Sequence, residues 1–225
     1  MLNTYSHGLE ASIVKASDGV VSRTINRRIS TRISRRLASL PNPPSPDLVS
    51  VISAILVALG APLFSMGLPQ LGGVIAQIGS ILDGVDGELA RLTGRASKAG
   101  GLLDTILDRL ADITLLLGVS LAAAKLLEPL VLIPLVMAAL SGDLLVSYIH
   151  AVGEKTAGKH PALIGRIPNI AGRDTRIFIV FLAGILAKPR LALALIALVS
   201  YTYTITKTVE LIKHVHEKEA STHAP

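Results

Sequence analysis

Residues 82–112 read LDGVDGELARLTGRASKAGGLLDTILDRLAD, and four of the five aspartates in this stretch decide the fold and the chemistry. Asp83 and Asp86 are three residues apart, and Asp104 and Asp108 are four apart. Spacings of three and four residues put side chains on the same face of a helix. Because the link between the two predicted helices is short, we expect antiparallel neighbours whose four carboxylates converge on one point.

The converging carboxylates predict a metal site. Four carboxylates that meet cannot all stay ionised unless cations compensate their charge. The set offers only oxygen atoms, and oxygen ligands select hard cations such as Mg²⁺, Mn²⁺ or Ca²⁺. Four carboxylates are enough for two ions, a common arrangement for displacement at phosphorus. The chain contains no Cys, which excludes thiolate catalysis, Cys-ligated metal centres and a disulfide scaffold.

The sequence around the aspartates is that of a membrane protein. Of the 225 residues, 50 % are apolar and 17 % are charged, and the mean hydropathy is +0.57. A membrane helix needs about 20 apolar residues, and charges inside one are functional candidates because they are costly. We predict an all-α membrane protein with six transmembrane helices. Their approximate bounds are 48–66, 71–92, 101–127, 130–152, 175–187 and 191–211.

Basic residues predict the orientation in the membrane. They concentrate before the first predicted helix, between the second and third, between the fourth and fifth, and after the sixth. Lys and Arg in short loops favour the cytoplasmic side. This alternation indicates an integral, multi-pass protein with an even number of spans, and with both termini and the aspartates on the cytoplasmic side.

Residues 19–40 are predicted to form a separate amphipathic helix. Six arginines lie between the members of an apolar stripe that recurs every four residues. The stripe consists of Val21, Ile25, Ile29, Ile33 and Leu37. This pattern favours an interfacial helix on an anionic leaflet, and the alternative is a charged helix packed against another domain. Prolines then separate it from the membrane domain, residues 46–215. We expect residues 1–18 and 216–225 to be flexible.

The complete pattern is more specific than its parts. It runs Asp83-x2-Asp86-Gly87-x2-Ala90-Arg91-x8-Gly100-x3-Asp104-x3-Asp108, over 26 residues. At every fixed position and every gap, the chain resembles the CDP-alcohol phosphotransferases. The six-span plan with a basic helix ahead of it extends the resemblance over about residues 19–215.

The resemblance implies an enzyme that transfers a phosphoalcohol from a CDP-alcohol donor to an acceptor hydroxyl and releases CMP. It implies two Mg²⁺ or Mn²⁺ ions on Asp83, Asp86, Asp104 and Asp108. Asp108 would also be the catalytic base that takes the acceptor proton. The implied CDP-binding residues are Gly87, Ala90, Arg91 and Gly100. Family members tend to be dimers, so a homodimer is expected.

The motif does not determine the acceptor. Basic residues at and before the fifth predicted helix are candidates for binding an acceptor phosphate, and topological anchoring is their alternative role. These residues are Lys159, Arg166, Arg173 and Arg176. The stretch at residues 18–23 and the Arg173-Asp174-x-Arg176 stretch resemble archaeal family members. That subgroup includes enzymes that join CDP-inositol to inositol 1-phosphate. Zero Cys, two Gln and four Asn fit a hyperthermophile composition.

Two alternatives stay open from the sequence. The first is a phospholipid synthase that combines CDP-diacylglycerol or CDP-archaeol with inositol phosphate or glycerol phosphate. The second, from another class, is a metal or ion transporter that uses the four acids as its transport site. The expected partners are the donor, a phosphorylated polyol acceptor and the lipid bilayer. A separate nucleotidyltransferase would supply the donor, and no nucleic acid is expected.

Overall fold

The computed structural model describes residues 16–222, which form helices and connecting turns without a β-strand. A π-helical turn, Ser22–Asn26, leads into the first helix, and a short 3₁₀ turn, Pro161–Leu163, precedes the sixth. The helices are α1 (Arg27–Ala38), α2 (Pro46–Ser65), α3 (Pro69–Leu92), α4 (Lys98–Ala124), α5 (Pro129–Ala157), α6 (Arg173–Ile185) and α7 (Pro189–Thr222).

Local sequence explains where these helices begin and end. Proline is the first residue of four of them, where its missing N–H costs nothing. The Ser45 hydroxyl accepts a hydrogen bond from the Leu48 N–H (3.2 Å) and caps α2. The Ser97 hydroxyl caps α4 in the same way, through the Gly100 N–H (2.9 Å). Gly158 ends α5 in the left-handed conformation (φ 73°).

Helix α2 lies at the centre of the packing. It contacts α3 and α4 extensively, whereas α3 and α4 pack mainly on α2 rather than on each other. The expectation that the two aspartate-bearing helices are direct neighbours is therefore wrong, although their acidic ends converge. The approach to α2 is close, because a Cβ on Gly79 of α3 would lie 2.8 Å from the Val57 nitrogen. Small residues permit such close packing in membrane helices.

Within residues 16–222, three helices are long and apolar enough to cross a membrane: Pro46–Ser65, Pro129–Ala157 and Pro189–Ala220. Helices α3 and α4 carry the aspartates, and α6 has only 13 residues. Large apolar side chains face outward, and Leu130 is 87 % exposed. These features support a multi-pass membrane protein.

Helix α1 buries a polar face against α3. Asn26, Ser30 and Ser34 are buried, while Ile25 and Ile29 of the predicted apolar stripe are exposed. The helix is thus both amphipathic and packed against the domain. Two stretches that we expected to be flexible are partly ordered. Near the N-terminus, Asp18 forms an ion pair with Arg27, and near the C-terminus, α7 continues to Thr222. For residues 1–15 and 223–225 the expectation of flexibility lies outside the described residues.

Candidate active site

The structure brings the four predicted aspartates together. Asp83 on α3 and Asp104 and Asp108 on α4 each place a carboxylate oxygen within 4.8 Å of the others. Asp86 is a buried neighbour of this cluster and a hydrogen-bonding partner of Asp104. Ser50 of α2 donates its hydroxyl proton to Asp86 and fixes that carboxylate. The acidic cluster is therefore built at the point where α2, α3 and α4 meet.

The cluster fits a divalent cation. Its donors are carboxylate oxygens, the ligands that Mg²⁺ and Mn²⁺ prefer. Asp83 Oδ1 is buried without a hydrogen-bond donor of suitable geometry among the described residues. Several partly buried carboxylates this close to one another require a compensating positive charge.

Arg173, at the start of α6, supplies part of that charge. Its Nη1 lies 2.8 Å from Asp83 and 2.9 Å from Asp108, and its Nε donates to Asp112 (2.9 Å). The sequence suggested this residue as an acceptor-phosphate ligand. In the structure its guanidinium forms ion pairs with two of the predicted metal ligands instead.

Arg176 belongs to a buried ionic network behind the cluster. It is 3 % exposed and donates to Asp143 (2.5 Å) and to the Ala171 carbonyl (2.6 Å). Arg109 pairs with Asp112 (3.2 Å) and lies 3.7 Å from Asp143. Buried charges are tolerated when they are paired and hydrogen-bonded. Arg176 is therefore held in place within the fold by hydrogen bonds from two of its nitrogens.

Two cavities meet at the acids. The smaller cavity has a volume of about 160 Å³, and all four predicted CDP-binding residues line it: Gly87, Ala90, Arg91 and Gly100. A Cβ on Gly100 would lie 3.1 Å from Asp47 Oδ1, so glycine keeps this cavity open. The larger cavity has a volume of about 320 Å³, and Arg27, Arg109, Arg173 and Arg176 line it. Asp86, Gly87, Arg91 and Asp104 border both cavities.

The other two candidate acceptor residues lie elsewhere. Lys159 and Arg166 are exposed in the segment between α5 and α6 and are not among the residues that line the larger cavity. The structure therefore does not bring the four acceptor candidates together. Arg173 and Arg176 are at the cavity, and the two loop residues are outside it.

Glu88 is a residue that the sequence analysis did not single out. Its side chain is fully buried and accepts hydrogen bonds from α1: Arg27 Nη1 (2.6 Å), Ser30 Oγ (2.8 Å) and Ser34 Oγ (2.6 Å). Arg27 also donates to the Gly84 carbonyl (3.1 Å) and pairs with Asp18. Burial lowers the pKa of Arg27, but Asp18 and Glu88 outweigh it and raise the pKa above its ordinary value. The four-residue spacing of Ser30 and Ser34 could have indicated a polar helix face that contacts a buried partner.

Two histidines on the wall of the larger cavity were also missed. His150 Nε2 is hydrogen-bonded to the Tyr203 hydroxyl (2.8 Å), and its ring lies 4.7 Å from that of His160. His160 comes from the segment between α5 and α6. Lys207 of α7 holds that segment, because it donates to the carbonyls of Ile164 (2.9 Å) and Ile167 (2.8 Å).

Comparisons with known proteins identify the family. The sequence profile of the CDP-alcohol phosphatidyltransferases matches residues 44–211. A bifunctional IPC transferase and DIPP synthase of Rubrobacter xylanophilus is 45 % identical over 79 % of this chain and 39 % of that protein. An archaetidylinositol phosphate synthase of Pyrococcus horikoshii is 34 % identical over 82 % of this chain and 91 % of that protein. The chain therefore spans about two fifths of the bifunctional relative.

Solved structures show the same fold. Phosphatidylinositol phosphate synthase of Mycobacterium tuberculosis with CDP-DAG bound superposes with a TM-score of 0.66 at 23 % identity, over 82 % of this chain and 94 % of that one. The same protein in complex with manganese and citrate gives a TM-score of 0.65 at 24 % identity, over 81 % and 88 %. The motif, the profile match and the named relatives agree: the chain belongs to the CDP-alcohol phosphatidyltransferase family and is an enzyme of that family.

Proposed function

We propose that this chain is a divalent-metal-dependent transferase that joins CDP-inositol to inositol 1-phosphate, giving phosphorylated di-myo-inositol phosphate and CMP. The observation that carries the chemistry is the cluster of Asp83, Asp104 and Asp108, with Asp86 beside it, between two cavities. The choice of inositol substrates is supported by the relative at 45 % identity, which is named as an IPC transferase and DIPP synthase.

Two Mg²⁺ or Mn²⁺ ions would be held by Asp83, Asp86, Asp104 and Asp108. When bound, the ions neutralise the diphosphate of the donor and the leaving CMP. Removal of metal by a chelator should abolish CMP release, and added Mg²⁺ or Mn²⁺ should restore it. Full activity in the chelated enzyme would contradict the metal dependence.

The two cavities suggest how the substrates lie. The CDP part of the donor occupies the smaller cavity, where Arg91 pairs with a phosphate. The acceptor occupies the larger cavity, which Asp108 lines. Asp108 takes the proton from the acceptor hydroxyl while the oxygen of that hydroxyl bonds to the β-phosphorus. The bond from this phosphorus to the CMP oxygen breaks at the same time. Catalysis of this kind depends mostly on positioning and charge stabilisation.

The arginines of the larger cavity suit a phosphorylated acceptor. Arg173 pairs with Asp83 and Asp108, and bound metal ions would compensate those acids and leave its guanidinium available to the acceptor phosphate. Arg176, held by Asp143, adds a fixed positive charge at the same wall. Lys159 and Arg166, which are exposed, would attract the anionic substrates from outside the cavity.

The membrane arrangement is part of the proposal. Helices α2 to α7 are the six spans, and both termini and the acidic cluster face the cytoplasm, in keeping with the distribution of Lys and Arg. Helix α1 lies on the leaflet, with its exposed isoleucines towards lipid. A homodimer is also proposed, and a separate nucleotidyltransferase is the proposed source of the donor.

A phospholipid synthase is the second candidate. It is favoured by the Pyrococcus horikoshii relative, an archaetidylinositol phosphate synthase that the chain matches over 91 % of its length. The transporter hypothesis has no such support, because the relatives are named as synthases and transferases.

A donor panel distinguishes the two candidates. Purified protein with Mg²⁺ receives CDP-inositol, CDP-diacylglycerol or CDP-archaeol, each with inositol 1-phosphate or glycerol phosphate, and CMP is measured. Our proposal predicts release with CDP-inositol and a product that stays in the aqueous phase. Release only with a lipid donor, and a product that extracts into organic solvent, would establish the second candidate.

A further inference from the structure

The segment Ser17–Ser22, which we call the N-terminal strap, borders the larger cavity. Ser17, Asp18, Gly19 and Ser22 line that cavity, and none of them lines the smaller one. The strap precedes α1 and reaches the start of α6, more than 150 residues away in the chain. It therefore forms a wall on one substrate side of the acidic cluster and not on the other.

Three polar contacts hold the strap in place. Asp18 forms a two-pronged ion pair with Arg27 of α1 (2.8 and 3.0 Å). The Ser22 N–H donates to Asp174 Oδ2 (2.5 Å), and Asn169 Nδ2 donates to the Ser17 carbonyl (3.2 Å). Bidentate pairs between Arg and a carboxylate fix geometry as well as charge. The strap is thus attached to α1 through Asp18, and to the entrance of α6 at both of its ends, through Ser17 and Ser22.

Gly19 shows how tightly the strap is seated. A Cβ at this position would lie 2.5 Å from Asp174 Oδ1 and 2.8 Å from Oδ2. A side chain there forces either the Asp174 carboxylate or the strap to move, and both shifts disturb the hydrogen bond from Ser22 to Asp174. Asp174 follows Arg173 directly, so a shift of the strap acts on the part of the cavity nearest to the acids.

We propose that the N-terminal strap determines acceptor specificity: it closes the acceptor side of the cavity, limits which acceptor enters, and keeps water from replacing the acceptor hydroxyl. The inference rests on the proposed function only in assigning the larger cavity to the acceptor. In the reaction that the strap suppresses, a water oxygen bonds to the β-phosphorus and the bond to CMP breaks. One water proton passes to Asp108, and the products are CMP and the alcohol phosphate.

The first test is Gly19→Ala, assayed with the acceptor that supports CMP release by the wild type. We expect the KM for the acceptor to rise about tenfold, which corresponds to about 1.4 kcal/mol of lost binding. The KM for the donor should stay unchanged, and a larger share of CMP should come from hydrolysis. Val20→Ala is the matched control, because Val20 is the neighbouring residue and does not line the cavity. Equal kinetic constants in both variants would overturn the proposal.

The second test does not depend on a substitution at Gly19. The chain has no Cys, so Ser17→Cys creates a single labelling site on the strap. Acceptor should slow the reaction of this thiol with a maleimide, and CDP alone should not. Equal protection by CDP, or no protection by the acceptor, would overturn the proposal. This measurement also decides the matter if Gly19→Ala fails to fold.

The outcomes of these tests distinguish a failure of the strap inference from a failure of the proposed function. If the wild type transfers to inositol 1-phosphate but neither Gly19→Ala nor Ser17→Cys behaves as expected, only the strap inference is wrong. If transfer requires glycerol phosphate or a lipid donor and both variants behave as expected, the strap inference stands and the proposed inositol chemistry is wrong. If no acceptor increases CMP release by the wild type, both are wrong.

Discussion

The two cavities beside the acidic cluster are built in different ways. The smaller one is lined by α2, α3, α4 and the turn between α3 and α4, and its decisive residues lie within one motif of 26 residues. The larger one draws on the strap, α1, α3, α4, α5, α6 and the segment before α6. The cavity that we propose for the nucleotide is therefore built from a local motif, whereas the cavity that we propose for the acceptor depends on contacts between distant segments.

The two cavities also differ in the charges of the residues that line them. Five arginines border the larger cavity, and Arg27, Arg109, Arg173 and Arg176 form ion pairs with the buried acids Glu88, Asp112 and Asp143. The smaller cavity relies on small residues that leave space, as Gly100 does beside Asp47. Substitutions should thus act through charge on the acceptor side and through volume on the donor side.

The largest effect is expected from Asp108→Asn, which keeps the size of the side chain but cannot take a proton. Loss of a general base lowers kcat by about 10²–10⁴-fold. Since Asp108 lines only the larger cavity, the KM for the donor should change less than kcat. CMP release is the measurement, and Glu128→Gln, an exposed acid beyond the far end of α4, is the control. A wild-type rate would show that another group takes the proton.

Asp143→Ala should destabilise the acceptor side. Asp143 is 2 % exposed and pairs with Arg176, which would be left as a buried charge with a weaker partner. Breaking a buried pair costs about 3–5 kcal/mol. Thermal unfolding in detergent should show a lower Tm. Glu154→Gln, an exposed acid on the same helix, should leave the Tm unchanged, and equal Tm values for the two variants would contradict the role of the network.

Glu88→Gln should weaken the packing of α1 against α3 without changing any of the four aspartates of the cluster. The amide keeps its shape but loses the charge that Arg27 and the two serines face. A mismatched buried hydrogen bond costs about 1–3 kcal/mol. Faster tryptic cleavage at the arginines of α1 is the expected result, with Glu217→Gln as the exposed control. Unchanged cleavage would mean that α1 is held by its apolar contacts alone.

The smallest effect is expected from Gly100→Ala on the donor side. The new methyl group would lie 3.1 Å from both Asp47 Oδ1 and Ser97 Oγ, which can move slightly. We expect the KM for the donor to rise by less than about tenfold, or less than about 1.4 kcal/mol. The KM for the acceptor should stay unchanged, and Ala99→Ser is the neighbouring control. A change confined to the acceptor would reverse our assignment of the cavities.

Much of the fold was predictable because it rests on local rules. Proline and serine signals set the helix starts, and the motif led to the family, which the profile match confirms. The convergence of Asp83 with Asp104 and Asp108 followed from helical spacing. The six spans and the interfacial position of α1 stay predictions, since in the described part of the chain only three helices are long and apolar enough to be recognised as spans.

The acceptor side was not predictable in the same way. Arg173 and Arg176 were chosen because basic residues suit phosphate, but their contacts with buried acids depend on α4 and α5. Glu88 was overlooked because its partners lie 54 to 61 residues away, on α1. The spacing of Ser30 and Ser34 indicates a polar face on α1, but it does not identify the acid on a distant helix that this face contacts.

The π-helical turn Ser22–Asn26 has a consequence for how the chain can vary in length. It joins the strap to α1, with Ser22 bonded to Asp174 at one end and Asn26 bonded to Ser80 (3.2 Å) at the other. Each residue of a regular helix turns the chain by about 100°. Deleting or inserting one residue here would rotate Asp18 away from Arg27 while α1 stays in place. The number of residues between strap and helix is therefore fixed. Natural or engineered variants should tolerate substitutions at the exposed positions 23–25 of this turn, but not insertions or deletions.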